Sequence, residues 1–240
     1  MSRHGKRYNK AKEGIDSLTR YAVHDALKLV LEGSTTKFDE SVDVAVRLGV
    51  NPRKADQLVR GACSLPHGTG KTVRVVVFAD GDAATAAQEA GADFVGGDDL
   101  VKKIQEEGWT DFDKAIAVRS MMAKVGRIGR ILGPRGLMPN PKTGTVVAAD
   151  KVAAVVKEVK GGRVDFRVEK AGILHCQFGK SNMTAEQLSE NLIALMSTIV
   201  RLKPSTSKGI YVKDVSVSST MGPGVRIDTS ELVRLSGQLR

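Results

Sequence analysis

The chain has 240 residues, 41% of them hydrophobic and 4% aromatic, and 37 Lys and Arg against 27 Asp and Glu give it a net charge of +10. This composition excludes a disordered chain and favours an anionic partner such as nucleic acid. No segment approaches the ~20 apolar residues of a membrane helix, and Cys63 and Cys176 follow no disulfide or metal spacing. We therefore expect a cytoplasmic protein with buried thiols, no membrane association, no metal and no other cofactor.

The first third of the chain predicts a basic arm, a helix and a half-buried strand. Residues 1–12 carry five cations, which are either solvated or in contact with a phosphate backbone. Apolar residues recur at helical spacing over 15–31, and apolar and mostly polar residues alternate over Ser41–Leu48. Residues 66–70 are typical of a loop and mark the first candidate domain boundary.

The middle third changes in character. Short apolar segments near 72–79, 93–95 and 112–118 predict strands, and the segments between and after them predict helices. Strands that alternate with helices at this spacing indicate a layered α/β domain with a parallel sheet. A helix over 150–160 and the pair Gly161–Gly162 follow, and the glycines mark the second candidate boundary.

The last third returns to strands of antiparallel type. Segments 163–168 and 173–178, joined by a turn, predict a hairpin. Thr184 and Gln187 form a near capping box that opens a helix. A strand over 210–217 and a short one over 225–227 come next, and residues 228–240 carry no strong signal.

Two antiparallel-type patterns thus flank one βα-repeating pattern. The predicted fold class is α/β: a discontinuous split α+β domain with an antiparallel-rich sheet, into which a three-layer, Rossmann-like α/β domain is inserted. The discontinuous domain comprises residues 1–67 and 161–240, and the insert comprises 68–160.

A basic loop over 126–142 is the most distinctive segment of the insert. Residues 119–149 contain no Asp or Glu, and the loop carries Arg127, Arg130 and Arg135 among glycines and prolines. The prolines exclude helix and sheet from its second half. The loop either binds an anionic partner or is a basic surface crossover.

Two other candidates lie in the discontinuous domain. Phe38, between Lys37 and Asp39, is either a core residue or a platform on which a base stacks. The turn Ser219-Thr220-Met221-Gly222 offers hydroxyls and exposed backbone that suit the shallow minor groove of RNA, or it is a plain hairpin turn.

Catalytic and nucleotide-binding motifs are weak. The segment 68–72 resembles a phosphate loop, but its first glycine is missing and the predicted strand follows the glycines instead of preceding them. Asp98 and Asp99 fit an ordinary acidic helix start. His67 and His175 have no catalytic partner at a suggestive spacing, and alternation places His175 outward if Cys176 is buried.

Several of these segments resemble one family. Residues 129–142, Ser64-Leu-Pro-His-Gly-Thr-Gly-Lys71, Phe94-Val-Gly-Gly97 and Thr220-Met-Gly-Pro223 match motifs of the bacterial large-subunit ribosomal protein one family in order and spacing. The resemblance extends from about Lys6 to Ile227. A serine of the family falls at Asp214 here, which puts that RNA contact in doubt.

The resemblance implies a non-enzymatic constituent of the large ribosomal subunit that binds ribosomal RNA at the mobile stalk. It also implies contact with deacylated tRNA at the exit site and repression of its own messenger RNA, without an obligate homo-oligomer. The alternative is a nucleotide-dependent enzyme that uses the insert. The RNA-binding residues implied are Lys37, Phe38, Ser41, Glu169, Lys170, His175, Thr220, Met221 and Gly222, to which the turn adds Ser219. Arg127, Arg130 and Arg135 are the candidates for a tRNA or secondary RNA contact.

Overall fold

The computed structural model describes residues 5–238, which divide into two compact units. Of these residues, 5–70 and 164–238 form the first unit, and Lys71–Arg163 form the second. The start of the predicted basic arm, including Arg3, lies outside the described residues. In the described part of the chain no helix is long and apolar enough to cross a membrane.

The first unit begins with two helices and two strands. They are α1 (Lys6–Glu13), α2 (Val23–Gly33), β1 (Ser41–Leu48) and β2 (Arg60–Ser64). The single helix predicted over 15–31 is wrong in its first half. Asp16 instead starts a turn, because its carboxylate accepts hydrogen bonds from Leu18 N–H at 3.0 Å and the Thr19 hydroxyl at 2.7 Å. A side chain that competes for backbone donors in this way favours a turn over a helix.

The second unit alternates strands and helices. They are β3 (Val75–Phe78), α3 (Asp82–Glu89), β4 (Phe94–Gly96), α4 (Asp98–Glu107), β5 (Lys114–Val118), α5 (Met122–Val125), α6 (Gly129–Leu132), β6 (Val146–Val147) and α7 (Val152–Lys160). Short 3-10 turns over Arg119–Met121 and Gly126–Ile128 make 119–132 a nearly continuous helical segment.

The sheet of the second unit is parallel and has the order β4-β3-β5-β6. All four residues of β3 are buried, which explains its unbroken apolar sequence. Side chains of α3 and α7 pack on one face of the sheet, and those of α4 and the 119–132 segment pack on the other. The predicted three-layer α/β architecture is therefore confirmed.

The chain returns to the first unit through β7 (Arg163–Arg167), β8 (Ile173–Lys180), α8 (Ala185–Arg201), β9 (Val212–Ser219), β10 (Val225–Ile227) and α9 (Thr229–Gln238). The predicted capping box opens α8: the Thr184 hydroxyl accepts from Gln187 N–H, and the Gln187 side chain accepts from Thr184 N–H. Helix α9 falls where the sequence showed no strong signal.

The main sheet of the first unit is antiparallel, with the order β10-β9-β1-β8. Val42, Val44, Val46 and Leu48 of β1 are buried, as their alternation predicted. They belong to a core that includes apolar residues of α2 and α8. The discontinuous α+β domain of the predicted fold class is thus also confirmed, and both cysteines are buried thiols.

The predicted hairpin over 163–178 is wrong as a paired unit. Strand β7 pairs with β2 in a separate two-stranded sheet, whereas β8 pairs with β1. Only the bridge between Val168 and Leu174 joins the two arms beside their turn. Alternation along each strand predicted which side chains are buried, but it carries no information on which strand lies beside it.

Candidate nucleic-acid interface

The sheet of the first unit brings segments from both ends of the chain together at the start of β1. Ser41 lies opposite Lys180 of β8, and Val42 lies opposite Ser219 of β9. The Thr220 hydroxyl oxygen accepts from Ser41 N–H at 2.9 Å and lies 3.3 Å from Ser41 O, to which it can donate. The Thr220–Gly222 turn is therefore bonded to the residue where β1 begins.

One buried carboxylate joins this turn to the bend that carries Phe38. Glu40, only 1% exposed, accepts from Met221 N–H at 2.9 Å and from Thr36 N–H at 3.3 Å. The Thr36 hydroxyl donates to Phe38 O at 2.9 Å. The backbone of Glu40 is itself paired with Ser181 through two further hydrogen bonds. Glu40 was not among the predicted site residues.

Phe38 and Met221 consequently project at the same end of the first unit. Their side chains are 56% and 51% exposed, which is unusual for large apolar residues held so firmly by their backbones. The interpretation of Phe38 as a core residue is excluded by this exposure. Lys37 is exposed beside it.

Hydrogen-bond donors stabilise the ionised form of the Glu40 carboxyl. Burial raises the pKa of this carboxyl, but the hydrogen bonds from Met221 and Thr36, together with the nearby hydroxyls of Ser219 and Ser34, outweigh that effect and hold the pKa below its ordinary value of 4.5. The carboxylate is covered by the two loops it joins. Glu40 is therefore ionised at neutral pH and locks the two loops together.

Ser219 requires a correction, because it was predicted to offer its hydroxyl to a ligand. Its side chain is only 4% exposed, and a Cβ at Gly222 would collide with its Oγ. Among the described residues this Oγ has no hydrogen-bond partner of standard geometry, although it lies near enough to Glu40 to help stabilise the carboxylate charge. Ser219 therefore supports the turn from beneath, and Gly222 is required to close over it.

Three of the predicted residues lie away from Ser41, toward the other end of the sheet. Glu169 and Lys170 occupy the turn between β7 and β8, and both are exposed. His175 is exposed on β8 opposite Ala45, and its Nε2 lies 3.7 Å from a Glu169 carboxylate oxygen. Because β1 rises about 3.3 Å per residue, His175 lies about 13 Å along the sheet from Ser41, and Glu169 and Lys170 lie farther along, beyond the pair Arg47 and Ile173. The predicted residues therefore form two groups and not one compact patch.

An open sheet face connects the two groups. The side chains that alternate with the buried residues are partly or fully exposed and mostly small or polar: Ser41, Asp43, Ala45, Arg47, His175, Gln177, Lys180, Asp214, Ser216 and Ser218. Burial raises the pKa of Asp43, with His175 and Lys180 opposing the shift. This face carries side chains of both positive and negative charge and several hydroxyls. Such a surface is better suited to hydrogen bonding with riboses and base edges than to binding phosphates alone.

Asp214, where the resemblance implies a serine, lies on this face opposite Arg47. Its Oδ1 is buried and makes no hydrogen bond to any described residue. A carboxylate here could accept a hydrogen bond from a ligand but could not donate one as serine does.

The arginines of the second unit lie on the surface of that unit. Arg127 and Arg130 are exposed on the 119–132 helical segment, and Arg135 is exposed in the turn that follows. Gly136 adopts φ +70° in that turn, as expected for a glycine that permits a tight bend. None of the three arginines forms an ion pair within the described residues.

The phosphate-loop alternative has no structural support. Strand β3 begins at Val75, after the glycines, so no helix N-terminus follows them as a phosphate loop requires. Asp98 begins α4 and forms an ion pair with Lys124 at 2.9 Å. Across residues 5–238, no three His, Cys, Asp or Glu side chains come together as metal ligands would.

Comparisons with known proteins all give the same family. Residues 30–223 match the model of the Ribosomal protein L1p/L10e family. The chain is 60% identical over 229 residues to the large ribosomal subunit protein uL1 of Corynebacterium glutamicum strain R, covering 95% of this chain and 96% of that one. It is 57% identical over 238 residues to uL1 of Corynebacterium kroppenstedtii, covering 99% of both chains. It is also 57% identical over 228 residues to uL1 of Maridesulfovibrio salexigens, covering 95% of this chain and 96% of that one.

Proposed function

Because this chain belongs to the Ribosomal protein L1p/L10e family, we propose that it is a structural constituent of the large ribosomal subunit in the cytoplasm. It binds large-subunit ribosomal RNA and catalyses no reaction, in keeping with relatives that are named as ribosomal proteins. The proposed RNA-binding domain comprises residues 1–67 and 161–240 and the inserted domain comprises 68–160, bounds that lie within three residues of those of the two compact units. The protein functions as a single chain bound to RNA.

The observation that carries this proposal is the exposure of Phe38 and Met221 on loops joined by Glu40. Two large apolar side chains fixed at one edge of a hydroxyl-bearing sheet match a surface on which RNA stacks and presents its riboses. Lys37, Ser41, Thr220 and Gly222 complete this end of the site. Glu169, Lys170 and His175 contact the RNA at the other end of the open face.

The second unit supplies the contact with deacylated tRNA at the exit site. Arg127, Arg130 and Arg135 are exposed cations on a surface where residues 119–149 hold no acid. Arginine binds phosphate through a planar, bidentate group, so this surface suits an RNA backbone. The contact assists release of the tRNA.

The same RNA-binding domain represses translation of the protein's own messenger RNA. A messenger that folds to resemble the ribosomal RNA site would occupy the same open face, since shape and ribose contacts are shared by any RNA of that fold. Free protein would then reduce its own synthesis.

The test is filter binding to fragments of large-subunit ribosomal RNA across a salt series, with Met221→Ala. This side chain is exposed and its backbone N–H keeps its bond to Glu40, so we expect about tenfold weaker binding, on the scale of one lost apolar contact of a large side chain, and an unchanged Tm.

Leu18→Ala is the matched control, because Leu18 is an apolar residue of the first unit that is 84% exposed in a different loop. It should bind RNA as the parent protein does. Equal affinity of Met221→Ala and Leu18→Ala would remove Met221 from the site, and no specific binding by the parent protein would contradict the proposed function.

A further inference from the structure

A groove in the first unit lies beside the predicted residues Glu169 and Lys170 but extends beyond them. It has a volume of about 730 Å³ and is lined by Pro52, Arg53, Leu58, Arg167, Val168, Glu169 and Lys170. We call it the basic groove. One wall is the loop after β1, and the other is the end of β7 with the turn that follows.

The basic groove carries an unbalanced positive charge. Arg53, Arg167 and Lys170 are exposed, and none of them is in an ion pair within residues 5–238. The one acidic lining residue, Glu169, lies 3.7 Å from His175. Three cations against one carboxylate in a concave surface concentrate a positive potential that attracts an anion.

Both walls are held in place before any ligand arrives. The Asn51 side chain accepts from Arg53 N–H at 3.2 Å, and the Gln57 side chain accepts from Asn51 N–H at 2.8 Å. On the other wall, Gly172, with φ +79°, accepts from Leu48 N–H at 2.9 Å and donates to the Glu169 carbonyl at 3.0 Å. A fixed backbone lowers the entropy lost when the cationic side chains bind.

The lining selects among anionic ligands. It contains no aromatic side chain on which a base could stack, and its apolar part consists of Pro52, Leu58 and Val168. The groove therefore offers contacts to phosphate and sugar but not to a nucleobase. It also lies beyond the end of β1 opposite to the end that carries Phe38 and Met221, so a long RNA could reach both places.

We propose that the basic groove binds the phosphodiester backbone of the RNA that stacks on Phe38 and Met221, and that Arg53 and Arg167 are its further phosphate-binding residues. This inference rests on the proposed function, because it assigns a second anchoring point on the same RNA. The sheet edge reads bases and riboses, and the basic groove fixes how the RNA lies across the face.

The test is a salt series of ribosomal RNA binding with the Arg53→Gln/Arg167→Gln double variant and both single variants. Loss of two phosphate contacts should weaken binding at least about tenfold at low salt and reduce the slope of log K against log salt by about 1.4–1.8. Each single variant should show about half of that change in slope. The Tm should stay at the parent value, since both side chains are exposed.

Arg234→Gln is the matched control, because it removes one exposed cation from α9, a helix that packs on α8. A double variant that retains the affinity and slope of this control would overturn the groove proposal while the proposed function stands. Failure of the parent protein to bind any ribosomal RNA fragment would overturn both. Met221→Ala provides the contrast, with weaker binding but an unchanged slope.

Discussion

At the scale of single residues, the site depends on a carboxylate that never reaches the surface. Glu40 is followed by the strand residue Ser41 and lies two positions after the exposed Phe38, and it accepts from Met221 across 181 positions of the chain. An ionised group that accepts from two backbone donors stabilises both loops at once, because hydrogen bonds to a charged acceptor are stronger than neutral ones. Glu40 is a positioning residue for the exposed side chains.

Glu40→Gln should separate positioning from simple packing. The amide has one acceptor oxygen, so one of the donors from Thr36 and Met221 loses its partner, at a cost of about 1–3 kcal/mol in unfolding free energy. We expect RNA affinity to fall by about tenfold as well, because the loops lose their fixed spacing. Denaturant unfolding and filter binding measure the two effects, and Glu32→Gln, at an exposed glutamate of α2, is the control.

The pH dependence follows from the lowered pKa of Glu40. A depressed pKa contributes stability above the ordinary value of 4.5, and this contribution is lost as the pH falls through the pKa of the folded state. The stability gap between the parent protein and Glu40→Gln should therefore be full at pH 7 and shrink below about pH 4.5. A gap independent of pH would show that the carboxylate charge is not what joins the loops.

At the scale of elements, α8 is the helix on which the sheet of the first unit rests. Leu188, Leu192, Leu195, Met196 and Ile199 are fully buried along one side of it. Asn191, also fully buried, donates to Phe178 O of β8 at 2.9 Å and to Gly68 O at 2.9 Å, and accepts from His67 N–H at 3.0 Å. The helix thereby fixes the last residues of the first unit before the chain enters the second.

Thr184→Ala should weaken this helix at its start. The change removes the acceptor for Gln187 N–H and breaks the capping box, which typically costs about 1 kcal/mol. Denaturant unfolding should show this loss with an unchanged m-value. Thr206→Ala, the same change at an exposed loop position, should leave stability within about 0.5 kcal/mol of the parent protein; equal losses in both would contradict the capping role.

At the scale of the whole molecule, each unit has its own hydrophobic core. The first unit is built on one core and the second on two, on opposite faces of its parallel sheet. The proposed ribosomal RNA site uses residues of the first unit alone. The chain makes two crossings between the units, after Gly70 and after Arg163.

Replacement of Lys71–Arg163 by a Gly/Ser linker of about ten residues, which reaches about 17 Å on average, should therefore preserve ribosomal RNA binding. We expect an affinity within about threefold of the parent protein, because the phosphate and ribose contacts remain. Circular dichroism should confirm that the first unit is folded. A folded variant that no longer binds would place essential RNA contacts in the second unit.

The sequence alone determined the properties that depend on neighbours along the chain. Alternation over β1 identified its buried face, unbroken apolar residues identified β3 as a covered parallel strand, and Thr184 with Gln187 identified the start of α8. These signals are local, since periodicity and capping involve residues only a few positions apart. The motifs also indicated the family, which the comparisons confirm.

Only the tertiary structure decided how distant segments meet. It paired β7 with β2 instead of β8, buried Ser219 beneath Gly222, and placed Glu40 between the Phe38 bend and the Met221 turn. Hydrophobic alternation shows that a strand face is buried but does not identify its partner, and a buried acid acquires its role from donors far away in the chain.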